Sequence, residues 1–386
     1  MGVFKLLQII IFFIVNGVVF YFGYKKFSQI YKNINLGKDK KIEGDSSQRI
    51  KNVLLIALGQ KKMFKDLLPA IMHLFVYLAF LITQIELIEI FLDGFTGGHR
   101  LIYHAIEDIA FFKALYVLVV NSIEILSVFA LFATFVFLYR RNLLKVPRLV
   151  RSEMNGWPKL DANIILMAEI YLVTCIFMMN GADQALHNNS YPFLISSFVG
   201  GSVFSSLSET SLHVIERIGW WGHILGVLAF IVYLPYSKHL HIMLAFPNVY
   251  FSSLKPKGYI DNMPEVSKEI KLMMDPNAAF AAPADGAEAE IPTFGAKEVT
   301  DLAWTNLLSA YTCTECGRCT EQCPAAQTGK KLSPRKIMMD TRDRLEEVAL
   351  NIRKNGVFID DGKTLLSDEY ISVEELRACT TCNALR

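Results

Sequence analysis

Cys313, Cys316, Cys319 and Cys323 fall in one short run, Cys313-Thr-Glu-Cys316-Gly-Arg-Cys319-Thr-Glu-Gln-Cys323-Pro324. Three thiolates at CxxC spacing, followed by a fourth ahead of proline, are the ligand pattern of a [4Fe–4S] cluster. The close spacing lets one turning loop aim three thiolates at one cube of iron and sulfide. Gly317 lets the backbone approach closely, so that its N–H groups face a charged cluster. In such runs the fourth cysteine serves a second cluster, so a second motif is expected. A zinc site is the competing chemistry, since CxxC pairs also hold zinc. Four cysteines in so short a run ending in Cys-Pro favour iron and sulfide.

The second motif begins at Cys379-Thr-Thr-Cys382, but position 385 is leucine where a third cysteine is expected, and the sequence stops at Arg386. With crossed ligation, Cys313, Cys316 and Cys319 hold one cluster, and Cys323 joins Cys379 and Cys382 at the other. Each set then lacks one ligand. The expectation is a reading frame truncated inside its second motif, with one or two clusters.

Six of the seven cysteines belong to these motifs, which is not a disulfide framework and implies a reducing, cytosolic setting for the C-terminal part. Cys175, in an apolar segment, reads as a small core residue. Hydrophobic residues make up 52% of the chain and concentrate before residue 247. This divides the chain into a membrane domain (1–246), a linker (247–300) and a cluster-binding domain (301–386). Within the linker, Ala278–Glu290 is too poor in large apolar residues to pack and is expected to be mobile.

Five segments carry the roughly 20 apolar residues that a membrane crossing needs: Val3–Tyr24, Leu67–Leu92, Phe111–Tyr139, Ala162–Asn180 and Trp220–Phe246. The first run is too long for a signal peptide and lacks a small-residue cleavage site. Basic residues crowd two loops, among them Lys25, Lys26, Lys32, Lys38 and Arg49 after the first span, and Arg140, Arg141, Arg148 and Arg151 after the third. The other loops carry Arg100 and Arg217. The positive-inside rule then places the N-terminus outside and the C-terminal part in the cytoplasm. Anionic lipid and topology account for these charges without nucleic acid. After the linker, Asp301–Tyr311, Ser333–Met339 and Arg342–Lys354 read as helices flanking the cysteine motifs.

Histidines in the apolar segments add a second chemistry, since haem b in a helical bundle takes two neutral imidazoles from facing helices. His73 lies near the start of the second span. His223 and His241 lie eighteen residues apart on the fifth. In a continuous helix that is five turns, with both on one side and about 27 Å apart. His73 and His241 reach similar depths on the cytoplasmic side and form a plausible haem pair. His187, His213 and His239 read as surface or interfacial residues. Glu86, Glu89, Glu124 and Glu169 fall within the spans, where a buried acid is costly and suggests function. For Glu86 and Glu89, toward the outer half of the second span, a role in quinol proton release is set against pairing with Asn121, Lys113 or a loop residue.

The chain resembles the cytochrome b subunit of respiratory nitrate reductase, through its five spans and His223 and His241 flanking Pro235-Tyr-Ser-Lys238. Its C-terminal part resembles the α-helical ferredoxin domains of the heterodisulfide reductase and glycerol-3-phosphate dehydrogenase type, through Thr314-Glu-Cys-Gly-Arg-Cys319 and Pro334-Arg335. The first resemblance implies a second histidine on the second span, ten residues beyond His73. Position 83 is threonine, which leaves His223 without its usual partner unless His99 or His104 substitutes.

The expected fold is mainly α, a five-helix transmembrane haem b bundle followed by a small α-helical ferredoxin-like domain in a bacterial or archaeal cytoplasmic membrane. The expected function is electron transfer between menaquinone or ubiquinone and a separate cytoplasmic redox subunit, through haem and [4Fe–4S] clusters. A heterodisulfide reductase-like cysteine-rich protein or an electron-transferring flavoprotein would be that subunit. The alternative is a membrane-anchored iron–sulfur redox sensor or assembly scaffold without quinone turnover.

Overall fold

The structure is a computed structural model that describes residues 2–188, 190–256, 259, 262–275 and 294–382. Among these residues it is helical, with a single isolated bridge between Lys38 and Ala303 as its sole β pairing. In chain order the helices are α1 Val3–Ile34, α2 Ser46–Asn52, α3 Leu67–Thr96, α4 Leu101–Ile106, α5 Ala110–Leu138, α6 Trp157–Leu186, α7 Ile195–Ser202, α8 Glu209–Tyr233, α9 His241–Tyr250, α10 Pro264–Met274, α11 Trp304–Thr312, α12 Arg318–Glu321, α13 Pro324–Gln327, α14 Pro334–Asn355 and α15 Val373–Arg377. They form two compact units: Met1–Ile30 with Leu54–Met243, and Tyr31–Val53 with Leu244–Arg386. The Ala278–Glu290 segment lies outside the described residues.

In the first unit α1, α3, α5, α6 and α8 are long and apolar enough to cross a membrane. Leu, Ile and Phe dominate them, and the flanking Lys, Gln and Glu keep good helix propensity, so the helices run past the apolar windows. Thus α1 continues to Ile34 and α6 begins at Trp157, with Pro158 inside its first turn.

The fifth span departs from its expected limits. It starts at Glu209, capped by Ser208, whose Oγ accepts from the Ser211 N–H, and ends at Tyr233. Pro235 has no N–H to continue the ladder, and two tight turns follow, Leu234–Tyr236 and Lys238–Leu240. Asp161 of α6 holds this break by accepting from Lys238 N at 3.0 Å and from the Tyr233 hydroxyl. His241 therefore opens a separate helix, and the five-turn register between His223 and His241 does not hold.

The core of the first unit joins Phe12 of α1, Ile90 of α3, Met179 of α6, and Trp220, Ile224 and Leu228 of α8. Without water to drive association, membrane helices gain from close packing at small residues. A Cβ placed on Gly219 would lie 2.7 Å from Met179 N and 2.9 Å from Cys175 O. The absence of a side chain there is what lets α6 and α8 meet backbone to backbone.

In the second unit the last residues of α1 and those that follow it pack with the C-terminal helices. Lys38 N donates to Leu302 O at 2.8 Å, and Trp304 N donates to Lys38 O at 3.1 Å. Asn33 links Tyr311 and Arg353 through its two side-chain atoms. The two helices expected at Ser333–Met339 and Arg342–Lys354 are one, α14, started by Ser333 and Pro334 and ended at Gly356 (φ 82°).

Candidate functional site

The cysteine loop is built from the end of α11. Cys313 ends that helix, Gly317 turns the chain at φ 75°, and α12 carries Cys319. Glu315 adopts φ 53°, which directs its N–H at Cys313 Sγ, 3.4 Å away. The second motif repeats this turn: Thr381 has φ 50°, and its N–H is 3.4 Å from Cys379 Sγ. Backbone N–H groups aimed at sulfur favour thiolates and suit the donor set of an iron–sulfur cluster.

Cys323 caps α13 ahead of Pro324 and is buried in an apolar cluster with Ala325, Ala326 and Leu332. Ala378 packs against that cluster, so the chain just before Cys379 is brought to the neighbourhood of Cys323. Cys379 and Cys382 are themselves exposed. Among the described residues no three His, Cys, Asp or Glu side chains converge as a single-ion site would need.

Three arginines surround the first loop. Arg318 Nε lies 3.3 Å from Cys316 Sγ. Burial raises the Cys316 thiol, but Arg318 outweighs it and the net position is below the ordinary value. Burial pushes the Cys313 thiol up to about 11 and also raises that of Cys319. Arg342 pairs with the buried Glu315 carboxylate at 2.9 Å, and the fully buried Arg335 donates to the Glu315 carbonyl at 3.5 Å. Arg342 and Glu315 carry no cysteine signature and escape sequence reasoning.

In the first unit, His73 Nδ1 lies 3.1 Å from Gln60 Oε1, and His241 Nδ1 lies 2.8 Å from the Lys238 carbonyl. A ring whose Nδ1–H is held by a carbonyl or amide oxygen offers Nε2 as a lone-pair donor, the state that a haem iron takes. His239, expected to be an ordinary interfacial residue, stands beside this pair. Its ring centroid is 5.9 Å from that of His241, and its Nδ1 is buried without a partner. Burial, with His241 and His73 nearby, holds His239 down at about 3, so it is neutral. Burial likewise lowers His241.

His223 is buried with Nδ1 unpartnered. The two histidines considered as its partners are engaged elsewhere: His104 with Glu107 at 3.0 Å, and His99 with Asp183 at 3.0 Å. His187 also meets Asp183, and His213 lies on α8, 3.9 Å from Glu209.

The acidic residues of the spans divide. Glu124 accepts from Ile195 N at 2.7 Å and Ser196 N at 2.9 Å and so caps α7. Glu86 and Glu89 face a loop residue, Arg100, each at 3.8 Å from its Nη1. Asp183 also binds Arg100 and lies in the last turn of α6, beyond the limit assigned to the fourth span from sequence. Hydropathy alone places that limit too early.

The chain is similar to a probable iron–sulfur-binding oxidoreductase, FadF, of Bacillus subtilis (strain 168), at 27% identity over 90% of this chain and 48% of that protein. It is similar to an EtfAB:quinone oxidoreductase of Syntrophomonas wolfei subsp. wolfei, at 25% identity over 95% of this chain and 49% of that protein. A 56-residue stretch is 38% identical to a probable membrane-anchored ferredoxin of Chromohalobacter salexigens, covering 14% of this chain and 8% of that protein. No family model and no solved structure matches. The chain spans about half the length of the two relatives that it matches throughout.

Proposed function

We propose that the chain is the membrane electron-transfer part of an iron–sulfur oxidoreductase, linking the quinone pool to a soluble redox partner. The observation that carries this reading is the repeated cysteine turn, Glu315 N to Cys313 Sγ and Thr381 N to Cys379 Sγ, in a chain with five apolar helices. Cys313, Cys316 and Cys319 hold one [4Fe–4S] cluster, and Cys323, Cys379 and Cys382 supply ligands to a second. His73 and His241 hold haem b, with His239 as the alternative partner of His73. These groups, when bound, carry electrons one at a time between a two-electron quinol and the partner.

The residues set the conditions for that transfer. Arg318, Arg335 and Arg342 place positive charge around the first cysteine loop, which favours an electron-rich cluster. Gln60 and the Lys238 carbonyl fix two imidazoles in orientation and tautomer. The basic loops support a cytoplasmic position for the cysteine domain. Among the expected partner classes, an electron-transferring flavoprotein gains support from the similarity to an EtfAB:quinone oxidoreductase.

The test is anaerobic purification of the full chain, followed by iron, sulfide and haem analysis and addition of a water-soluble quinol analogue. Bound iron with matching sulfide, reduced by the quinol, is the expected result. Stoichiometric zinc without sulfide would reject the cluster, and cluster that no quinol reduces would favour a sensor.

A further inference from the structure

At the end of the bundle where α3 stops, three carboxyl groups are buried around one guanidinium. Glu86, Glu89 and Asp183 are each 3% exposed or less, and Arg100 is 5% exposed. Arg100 Nε binds Asp183 Oδ2 at 3.1 Å, and its Nη2 binds Asn180 Oδ1 at 2.5 Å. Asn180 in turn donates to Glu86 Oε1 at 2.8 Å. Glu89 is satisfied on both oxygens, by Tyr103 N at 3.1 Å and the Tyr116 hydroxyl at 2.7 Å. Asp93 takes the Arg100 and Leu101 N–H groups and so fixes the loop.

Two features set this apart from a structural ion pair. Glu86 Oε2 is buried and has no hydrogen-bond partner. Asp183 Oδ1 is likewise buried without a hydrogen bond, and His99 Nε2 and His187 Nδ1 each lie 3.0 Å from it, His187 Nδ1 being also 3.0 Å from the Asp183 carbonyl; the two histidine side chains are 38% and 43% exposed. The two imidazole rings stack with centroids 5.4 Å apart. Asp183, Glu89, Arg100 and His99 also line a cleft of about 60 Å³, together with Phe12 and with Glu216, Arg217 and Trp220 of α8. That is room for a few waters, and the polar lining can hold them.

Three carboxylates against one cation are costly in an apolar surrounding, and a proton on the unpartnered oxygen relieves the cost. We infer that this network is a proton-loading site: Glu86 holds an exchangeable proton, and Asp183 with the His99–His187 pair exchanges it with water. The inference deepens the quinone reading and rests on it for the source of the protons. Oxidation of one quinol to quinone releases two electrons to the redox chain and two protons. The network takes those protons one at a time onto a carboxylate and releases them through the imidazoles to water, leaving its own charge unchanged after each passage.

Infrared spectroscopy of the full-length protein on transfer into D₂O tests this. Glu86→Gln should remove one protonated-carboxyl C=O band. In the otherwise native chain the deuterium shift of that band should slow by about tenfold or more in Asp183→Asn. Because Asp183→Asn also removes a partner of Arg100, the paired variant His99→Gln, His187→Gln is measured beside it, with thermal melting to confirm folding. That variant leaves the Arg100–Asp183 pair in place and should slow the exchange as well. Loss of no band in Glu86→Gln, or unchanged exchange in the folded paired variant, would overturn the site. A parallel measurement adds the quinol analogue to vesicles containing a pH-sensitive dye. Slowed exchange in a protein that no quinol reduces would uphold the proton site and sink the quinone reading.

Discussion

Glu315 and Thr381 hold the same left-handed backbone conformation, φ 53° and 50°, and each aims its N–H at the sulfur of the cysteine two residues before it. The left-handed region costs a residue with a Cβ about 1–2 kcal/mol and a β-branched residue more. Glu315→Gly is therefore expected to keep the turn, and Glu315→Val to strain it. Iron retention during anaerobic gel filtration should rank native and Gly above Val; equal retention by all three would mean that the turn does not organise the thiolates.

Cys316 is the thiol that Arg318 contacts most directly. Cys316→Ser should lose most of the iron and sulfide of the first cluster, while Cys175→Ser, a core position on α6, should lose none. Chemical iron and sulfide analysis of the two variants decides it, and full iron in Cys316→Ser would remove this cysteine from the ligand set.

His73→Ala should abolish or convert a low-spin haem b spectrum, because every proposed pairing uses it. His241→Ala and His239→Ala separate the two candidate partners: the true ligand's variant loses the low-spin signal and the other keeps it. His223→Ala should leave this haem unchanged. Optical and EPR spectra of the four variants provide the measurement.

Arg344 is fully buried, and its guanidinium binds Glu298 at 2.7 Å and Asp361 at 2.7 and 3.0 Å. Removing the cation strands two carboxylates, so Arg344→Met should destabilise the second unit by about 3 kcal/mol, at the low end because both partners are partly exposed. Hydrogen bonds from Arg344 hold the Asp361 carboxyl below its usual range. A lowered folded value means that this stabilisation is complete at neutral pH and fades as the pH falls from the unfolded value of about 3.9 through the folded one. Amide exchange of α14 in the full chain should show the loss at pH 7, and the gap between variant and native should narrow in acid.

Gly219→Ala should lower the melting temperature of the first unit more than Gly222→Ala. The added methyl at Gly219 meets backbone atoms, whereas at Gly222 it meets Cys175 Sγ and Tyr171 Oη, both 3.0 Å away, which can move. Thermal unfolding in detergent compares them, and equal losses would show that the α6–α8 approach yields at both levels.

Local sequence determined the elements of this protein and made the proposed thiol ligands legible. Apolar runs long enough to span a bilayer make helices wherever they occur, and thiols at CxxC spacing are read without knowing their surroundings. The limits of the helices were less legible, because α1 and α6 continue through polar residues that the hydropathy of a membrane span does not count. Pro235 was visible, but its effect depended on Asp161 of α6, 74 residues earlier in the chain, which holds the break and sends His241 into a new helix. The same holds for His239, neutral because the fold buries it, and for Arg342, drawn to Glu315 across the turn from α14. The network of Glu86, Arg100 and Asp183 joins three segments of the chain. Burial and the pairing of distant charges are properties of packing, and only the tertiary structure decides which groups are taken out of water together.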